Sequence, residues 1–434
     1  MKTLWILLLL MTTANSAFAQ TNRIDIIRPD APELAYRGEF AIGVRTLDLL
    51  DKGRVDVLNT KEGADTAYYD RPIRVEVWYP AQSVSEAVCN NTYITETRNV
   101  AITDAVLSGI ACRDAQSLKD SSPYPLVILS HGYPGNRHLM SHLGENLATK
   151  GYVVVSIDHT DSTYQDQKLF ASTLFNRAPD QRFVLNEIAR FSHDENSFLN
   201  GLVDANNTAV VGFSMGGYGL MNNLGAAYNP EKIDDDRSPP NRLLERWSRA
   251  NKDFSSVLDS RIRAGVAIAP WGMNTGYLDA ASVALVETPT LYVVGSMDRT
   301  AGYQNGAKEM FEQAINSDRY LLTFENGSHS VAAPFPLPNE ILNSENKEGA
   351  SHYADPVWDS VRSNNILAHF VTAFVDLQLK SMEERRQYLQ LLPIANEAHF
   401  SVRDGVPTQR HTYWKGFGIG TAVGLRFDHL AAGE

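Results

Sequence analysis

The chain has 434 residues, 43% of them hydrophobic, and a formal net charge of −12. That length suits one large α/β domain with insertions, or two domains. The acidic balance excludes phosphate-backbone binding as a main task, so nucleic acid is not an expected partner.

At the N-terminus, Lys2, the apolar run Leu4 to Met11 and the small-residue stop Ala17-Phe18-Ala19 predict a cleavable secretory signal over 1–19. The mature chain then starts near Gln20 and is exported to the periplasm or the medium. The run is far short of the roughly 20 residues that span a bilayer, and no transmembrane segment is expected in the mature chain. Cysteines stand only at 89 and 112. In an exported chain they read as one disulfide, Cys89–Cys112, the other reading being two thiols, and neither belongs to a metal-ligand spacing.

Along the chain, Gly43 to Leu50 fits an antiparallel edge strand. Further strands are predicted at Ile73 to Trp78, Leu126 to Leu129, Tyr152 to Ile157, Thr208 to Gly212, Ala264 to Ala269, Leu291 to Val294 and Tyr320 to Phe324. Helical or polar segments lie between them, and several runs are apolar throughout, which is the pattern of strands covered on both faces. The fold class is therefore α/β, a mostly parallel central sheet flanked by helices. Residues 228–262 read as a cap insertion, with charged 234–240 followed by Leu243, Leu244, Trp247 and Phe254 at a spacing that suits a short amphipathic helix. Residues 332–355, rich in Pro and Asn, read as a second insertion bordering a site, because connections inside compact domains are usually shorter. A helix is predicted over 356–380, and the aromatic and glycine-rich region after about Gln387 is expected to pack on the main domain.

The chemistry-bearing segment is Thr208 to Gly217, a buried strand running into Gly212-Phe213-Ser214-Met215-Gly216 and then into a helix. So sharp a turn lifts Ser214 to the sheet's C-terminal edge, while the Met215 amide at the helix start favours developing negative charge. A glycine-rich turn after a strand also serves packing alone, so the remaining parts carry weight. The strand at Leu291 ends in Gly295-Ser296-Met297-Asp298 and the strand at Tyr320 ends in Glu325-Asn326-Gly327-Ser328-His329. The order Ser214, Asp298, His329 is that of a nucleophile, an orienting acid and a general base in this kind of fold, with Glu325 the competing acid.

The second oxyanion donor is expected in His131-Gly132-Tyr133-Pro134-Gly135, after the strand at Leu126. Tyr133 supplies the amide, since Pro134 has none. His131 is expected below the site in a structural role. Asp158 and His159 are read as loop-ordering rather than metal-binding residues. Trp271, at another strand end, fits either a substrate-pocket wall or the core.

These loops, with Arg74-Val75-Glu76-Val77-Trp78-Tyr79-Pro80-Ala81 ahead of them, resemble the platelet-activating-factor acetylhydrolase and dienelactone-hydrolase-like branch of the α/β-hydrolases, from roughly Gly43 to Lys380. The resemblance implies an α/β-hydrolase fold, no cofactor, and hydrolysis of carboxylic esters through an acyl-enzyme. Dienelactone hydrolases proper carry a cysteine where this chain has Ser214, so dienelactone is not the expected substrate. Tyr133, Met215 and Trp271 are also similar to features of bacterial polyester hydrolases and cutinases. Polymer, amide and lactone substrates therefore stand beside small esters, and a binding protein without chemistry is the reading from a different class.

Overall fold

The computed structural model describes residues 21–85 and 87–434, so the segment read as a secretory signal lies outside the described residues. The main strands are β1 (Ile42–Val55), β2 (Tyr68–Pro80), β3 (Tyr124–Ser130), β4 (Val153–Asp158), β5 (Val203–Phe213), β6 (Ile262–Ile268), β7 (Thr290–Gly295), β8 (Arg319–Phe324) and β9 (Leu425–Leu430). Their order across one sheet is β9-β8-β7-β6-β5-β3-β4-β2-β1, with the short strand Cys112–Arg113 beyond β1. Strands β3 to β8 are parallel, whereas the β1–β2, β2–β4 and β8–β9 pairs are antiparallel. β7 and β8 are buried at every position, which is why they read as runs rather than as an alternation.

Among the described residues four helices of eight residues or more cover the faces: α1 (Ser141–Ala148), α2 (Phe170–His193), α3 (Met215–Asn223) and α4 (Ser360–Lys380). α4 starts later than the sequence spacing suggests. Asp359 caps it by accepting from the Arg362 amide at 2.8 Å, and residues 356–358 form a bend instead. Val357, inside the range predicted as helix, is 61% exposed. The region after Gln387 completes the core. β9 extends the sheet beside β8, and Trp414, Phe417 and Phe427 surround Phe370 of α4.

Residues 228–262 form 3-10 turns at Leu243–Trp247 and Phe254–Val257 rather than an amphipathic helix. Leu244, Trp247 and Phe254 are buried as the spacing requires. The expected Cys89–Cys112 bridge is corrected by the structure. Cys112 is buried on its short strand beside β1 and carries a thiol, while Cys89 lies on the preceding loop; both line one cavity at the sheet edge. Among the described residues no helix is long and apolar enough to cross a membrane.

Candidate active site

β5 runs straight into α3 with Ser214 at the join, at φ +54° and ψ −112°. That backbone conformation is costly for a side-chain-bearing residue and is held by its surroundings. A Cβ on Gly212 would stand 2.3 Å from the Gly216 carbonyl oxygen, and one on Gly216 would stand 1.9 Å from the Ser130 carbonyl oxygen. The turn closes only with glycine at both places. The Ser214 carbonyl accepts from the amides of Tyr218 and Trp271, at 3.0 and 3.1 Å, which fixes the strained residue between α3 and the loop after β6.

The loops after β7 and β8 bring the other two candidates to it. His329 Nε2 lies 3.0 Å from Ser214 Oγ, and His329 Nδ1 lies 2.8 Å from Asp298 Oδ2. A carboxylate at Nδ1 keeps the proton there and leaves the Nε2 lone pair facing the serine hydroxyl. The other oxygen of Asp298 accepts from the amides of Thr300 and Ala301 at 2.8 and 3.0 Å. Burial opposes ionisation of Asp298, but the His329 hydrogen bond and charge, with those two amides, outweigh it and hold the carboxyl below its ordinary range. Glu325 is not the partner of His329.

The two loops are tied together. The Met297 amide donates to the Gly327 carbonyl at 2.9 Å, and the Asn326 amide to Ser296 Oγ at 2.8 Å. Asp355 fastens the histidine loop from outside, accepting from the Ser328 amide and hydroxyl at 2.7 and 2.6 Å.

The loop after β3 presses on the serine from the other side: a Cβ on Gly132 would lie 3.2 Å from Ser214 Cβ. Tyr133 lines the same cavity as Ser214 and His329, and Met215 opens α3, where first-turn amides have no intrahelical acceptor. Both residues expected to supply oxyanion donors therefore stand near the serine, one on the cavity wall and one next in the chain. Arg177, buried on α2, donates to the carbonyls of His131 and Gly132 at 3.0 and 3.3 Å, which ties that loop to the helix.

His131 is one of the props. Its Nε2 accepts from the His159 amide at 3.2 Å and its Nδ1 donates to the Gly132 carbonyl at 2.7 Å. His159 in turn bridges Ser130 Oγ, at 2.8 Å, and Asp180, at 3.0 Å. Arg71 closes this buried chain with two bonds of 2.9 Å to Asp180. Sequence reasoning missed Arg177, Asp180 and Asp355. The signal for the first two was a polar face, Asn176, Arg177, Asp180 and Gln181, repeating at helical spacing in a segment with Pro179 inside it.

Trp271, for which pocket wall and core were both open, stands in packed surroundings. It is 8% exposed, sits against Phe170, Tyr218 and Tyr277, and is not among the residues lining the Ser214 cavity. Through Phe170 it backs the Tyr133 ring. Of the two expected insertions, 332–355 borders the cavity with Gly349, Ser351, His352 and Ala354, whereas 228–262 contributes no lining residue.

The buried histidines make a pH prediction. Burial pushes His142 down to about 4 and His159 and His369 to about 3, and holds His131 well below its ordinary value. A group whose folded pKa is depressed contributes stability above its unfolded pKa and loses it as pH falls. The loss here starts near the ordinary histidine value of about 6.5 and costs on the order of 1 kcal/mol per pH unit for each histidine. Urea midpoints are expected to fall steadily between about pH 6.5 and pH 4.5; equal midpoints across that window would contradict the neutral burial of these rings.

A parallel sheet in this strand order, with a serine on the turn after β5, an acid after β7 and a histidine after β8, defines the α/β-hydrolase fold. Comparisons with known proteins agree. A family model for platelet-activating factor acetylhydrolase, isoform II, matches residues 66–200, a span that holds the oxyanion-type loop and ends before Ser214. Cutinase est1 of Thermobifida alba is 23% identical over 212 residues, covering 49% of this chain and 55% of that protein. A platelet-activating factor acetylhydrolase of Canis lupus familiaris is 23% identical over 235 residues, covering 50% of each. The chain thus spans about half the length of these two relatives. The solved structure of a ferulic acid esterase from Streptomyces cinnamoneus superposes with a TM-score of 0.52 at 21% identity, covering 81% of this chain and 94% of that one. The chain belongs to the α/β-hydrolase superfamily.

Proposed function

We propose that this chain is an exported serine hydrolase that cleaves carboxylic esters through an acyl-enzyme, with Ser214 as nucleophile, His329 as general base and Asp298 as its orienting acid. The observation that carries the reading is the hydrogen-bonded series Asp298, His329, Ser214 at the mouth of a cavity of about 850 Å³. Ser214 Oγ attacks the ester carbonyl while His329 Nε2 takes its proton, and the amides of Tyr133 and Met215 hold the oxyanion. The tetrahedral intermediate collapses by breaking the bond to the alcohol oxygen, which receives the proton from His329. Water then attacks the acyl-enzyme, giving its proton to His329, and the acid leaves as the proton returns to Ser214. Every step uses groups of this chain and water, with no cofactor.

Relatives named as cutinases and as platelet-activating factor acetylhydrolases support ester cleavage as the reaction class. Export rests on the N-terminal segment, and residues 332–355 would act as a cap beside the cavity. A second reading, a polyester or cutin-type depolymerase, is favoured by the apolar rim of Met297 and Val357, 48% and 61% exposed. Turnover of 4-nitrophenyl esters from acetyl to palmitoyl separates them. A short-chain optimum is the expected result for a small-ester enzyme, a long-chain optimum points to the depolymerase or a lipase, and no turnover of any ester would overturn both.

A further inference from the structure

The cavity that holds Ser214 and His329 carries a charge that ester cleavage does not use. Arg98 and Arg299 line it, and no aspartate or glutamate is among its lining residues, although the chain as a whole has a net charge of −12. Among the described residues neither guanidinium has a carboxylate within ion-pair distance.

The two carboxylates that hold the histidine are already committed. Asp355 accepts from the Ser328 amide and hydroxyl and from the amides of Val357 and Trp358, at 2.6 to 2.9 Å. Asp298 is buried behind His329 with both oxygens occupied.

Arg98 is held in place from several sides. Its amide donates to Tyr353 Oη at 2.9 Å. Its stem lies against Gly349, where a Cβ would come within 2.7 Å of the Arg98 Cβ. Its Nη1 reaches the carbonyl of Pro134, next to the candidate oxyanion residue, at 3.5 Å. Arg299 follows Asp298 directly and is exposed at the mouth. Two unopposed guanidinium groups on a concave wall attract and orient an anion, because each presents a planar fork of donors that fits paired oxyanion atoms.

We propose that this cavity takes esters that carry a second, anionic group, a carboxylate or a phosphonate-like oxyanion, bound by Arg98 and drawn in by Arg299. The proposal rests on the serine ester hydrolase reading above and adds the class of substrate.

The test is kcat/KM for matched substrate pairs at constant pH. For the acyl side the pair is the 4-nitrophenyl hemiester of glutaric acid and its methyl ester, with the 4-nitrophenyl ester of 4-phosphonobutanoic acid as a third arm. For the alcohol side it is the butyrate ester of 3-hydroxybenzoic acid and that of its methyl ester. Spontaneous cleavage, which the free carboxylate assists, is measured with Ser214→Ala and subtracted.

In at least one pair the anionic member is expected to be favoured about tenfold or more, chiefly through KM, and the preference is expected to shrink as salt rises. Arg98→Gln and Arg299→Gln should each draw the ratio towards one, and Arg98→Lys should keep most of it. The carboxylate and phosphonate arms identify which anion is preferred. Turnover of the neutral esters without preference in any pair, or a preference that neither glutamine variant moves, overturns the proposal alone. Turnover of none of these esters overturns the esterase reading and the proposal with it.

Discussion

Replacing Ser214 by alanine is expected to lower kcat on any ester by roughly 10⁵- to 10⁶-fold and to leave the fold intact. The hydroxyl is the only group that His329 Nε2 faces in the series, at 3.0 Å, and without it no acyl-enzyme forms. The backbone at 214 keeps its positive φ whichever of the two residues stands there, and its carbonyl still accepts from Tyr218 and Trp271. The strain is therefore common to both proteins, and thermal unfolding should coincide within about 1 kcal/mol. Activity comparable to wild type in the folded variant would mean that another residue attacks.

Asp298→Asn is expected to cost about 10⁴-fold in kcat with little change in KM, the size seen when the acid of such a triad loses its charge but keeps its shape. The reason lies in the atoms that remain. The asparagine carbonyl can still accept from the Thr300 and Ala301 amides, so the loop stays. Its NH₂ then faces His329 Nδ1, where the carboxylate oxygen stood at 2.8 Å. A donor at Nδ1 forces the imidazole proton to Nε2, where it points at Ser214 and cannot accept the serine proton. Glu325→Gln is the control. Its carboxylate is not a partner of His329, so kcat should remain near wild type, and a large loss there would transfer the orienting role to Glu325.

The sheet was legible in the sequence because strands buried on both faces have no choice of composition. β6, β7 and β8 stand within about two residues of where their apolar runs put them. The site was legible for a related reason: Ser214, Asp298 and His329 sit at strand ends, where the chain leaves a recognisable run and turns. What escaped lies where polar residues do structural work. α2 hides its register because Arg177, Asp180 and Gln181 share its buried face with Leu174, Val184, Leu185 and Ile188, and those charges are paired with groups outside the helix. The start of α4 escaped because Asp359 caps it, leaving Val357 to the cavity rim. Trp271 was ambiguous because a strand end in this fold borders both core and site, and only the packing of Phe170, Tyr218 and Tyr277 around it decides between them. Arg98 comes from a loop remote in sequence from all three candidates, and no motif announces it.

Attack by Ser214 is the step on which the proposed chemistry stands. Diethyl 4-nitrophenyl phosphate, which phosphorylates activated serine hydroxyls, tests it directly when inactivation is followed together with peptide mass spectrometry. One diethylphosphoryl group per chain is expected, on the peptide containing Ser214, rising in step with loss of ester turnover and forming far more slowly in Asp298→Asn. Complete inactivation with the label on another residue, or full labelling of Ser214 with turnover retained, would contradict it.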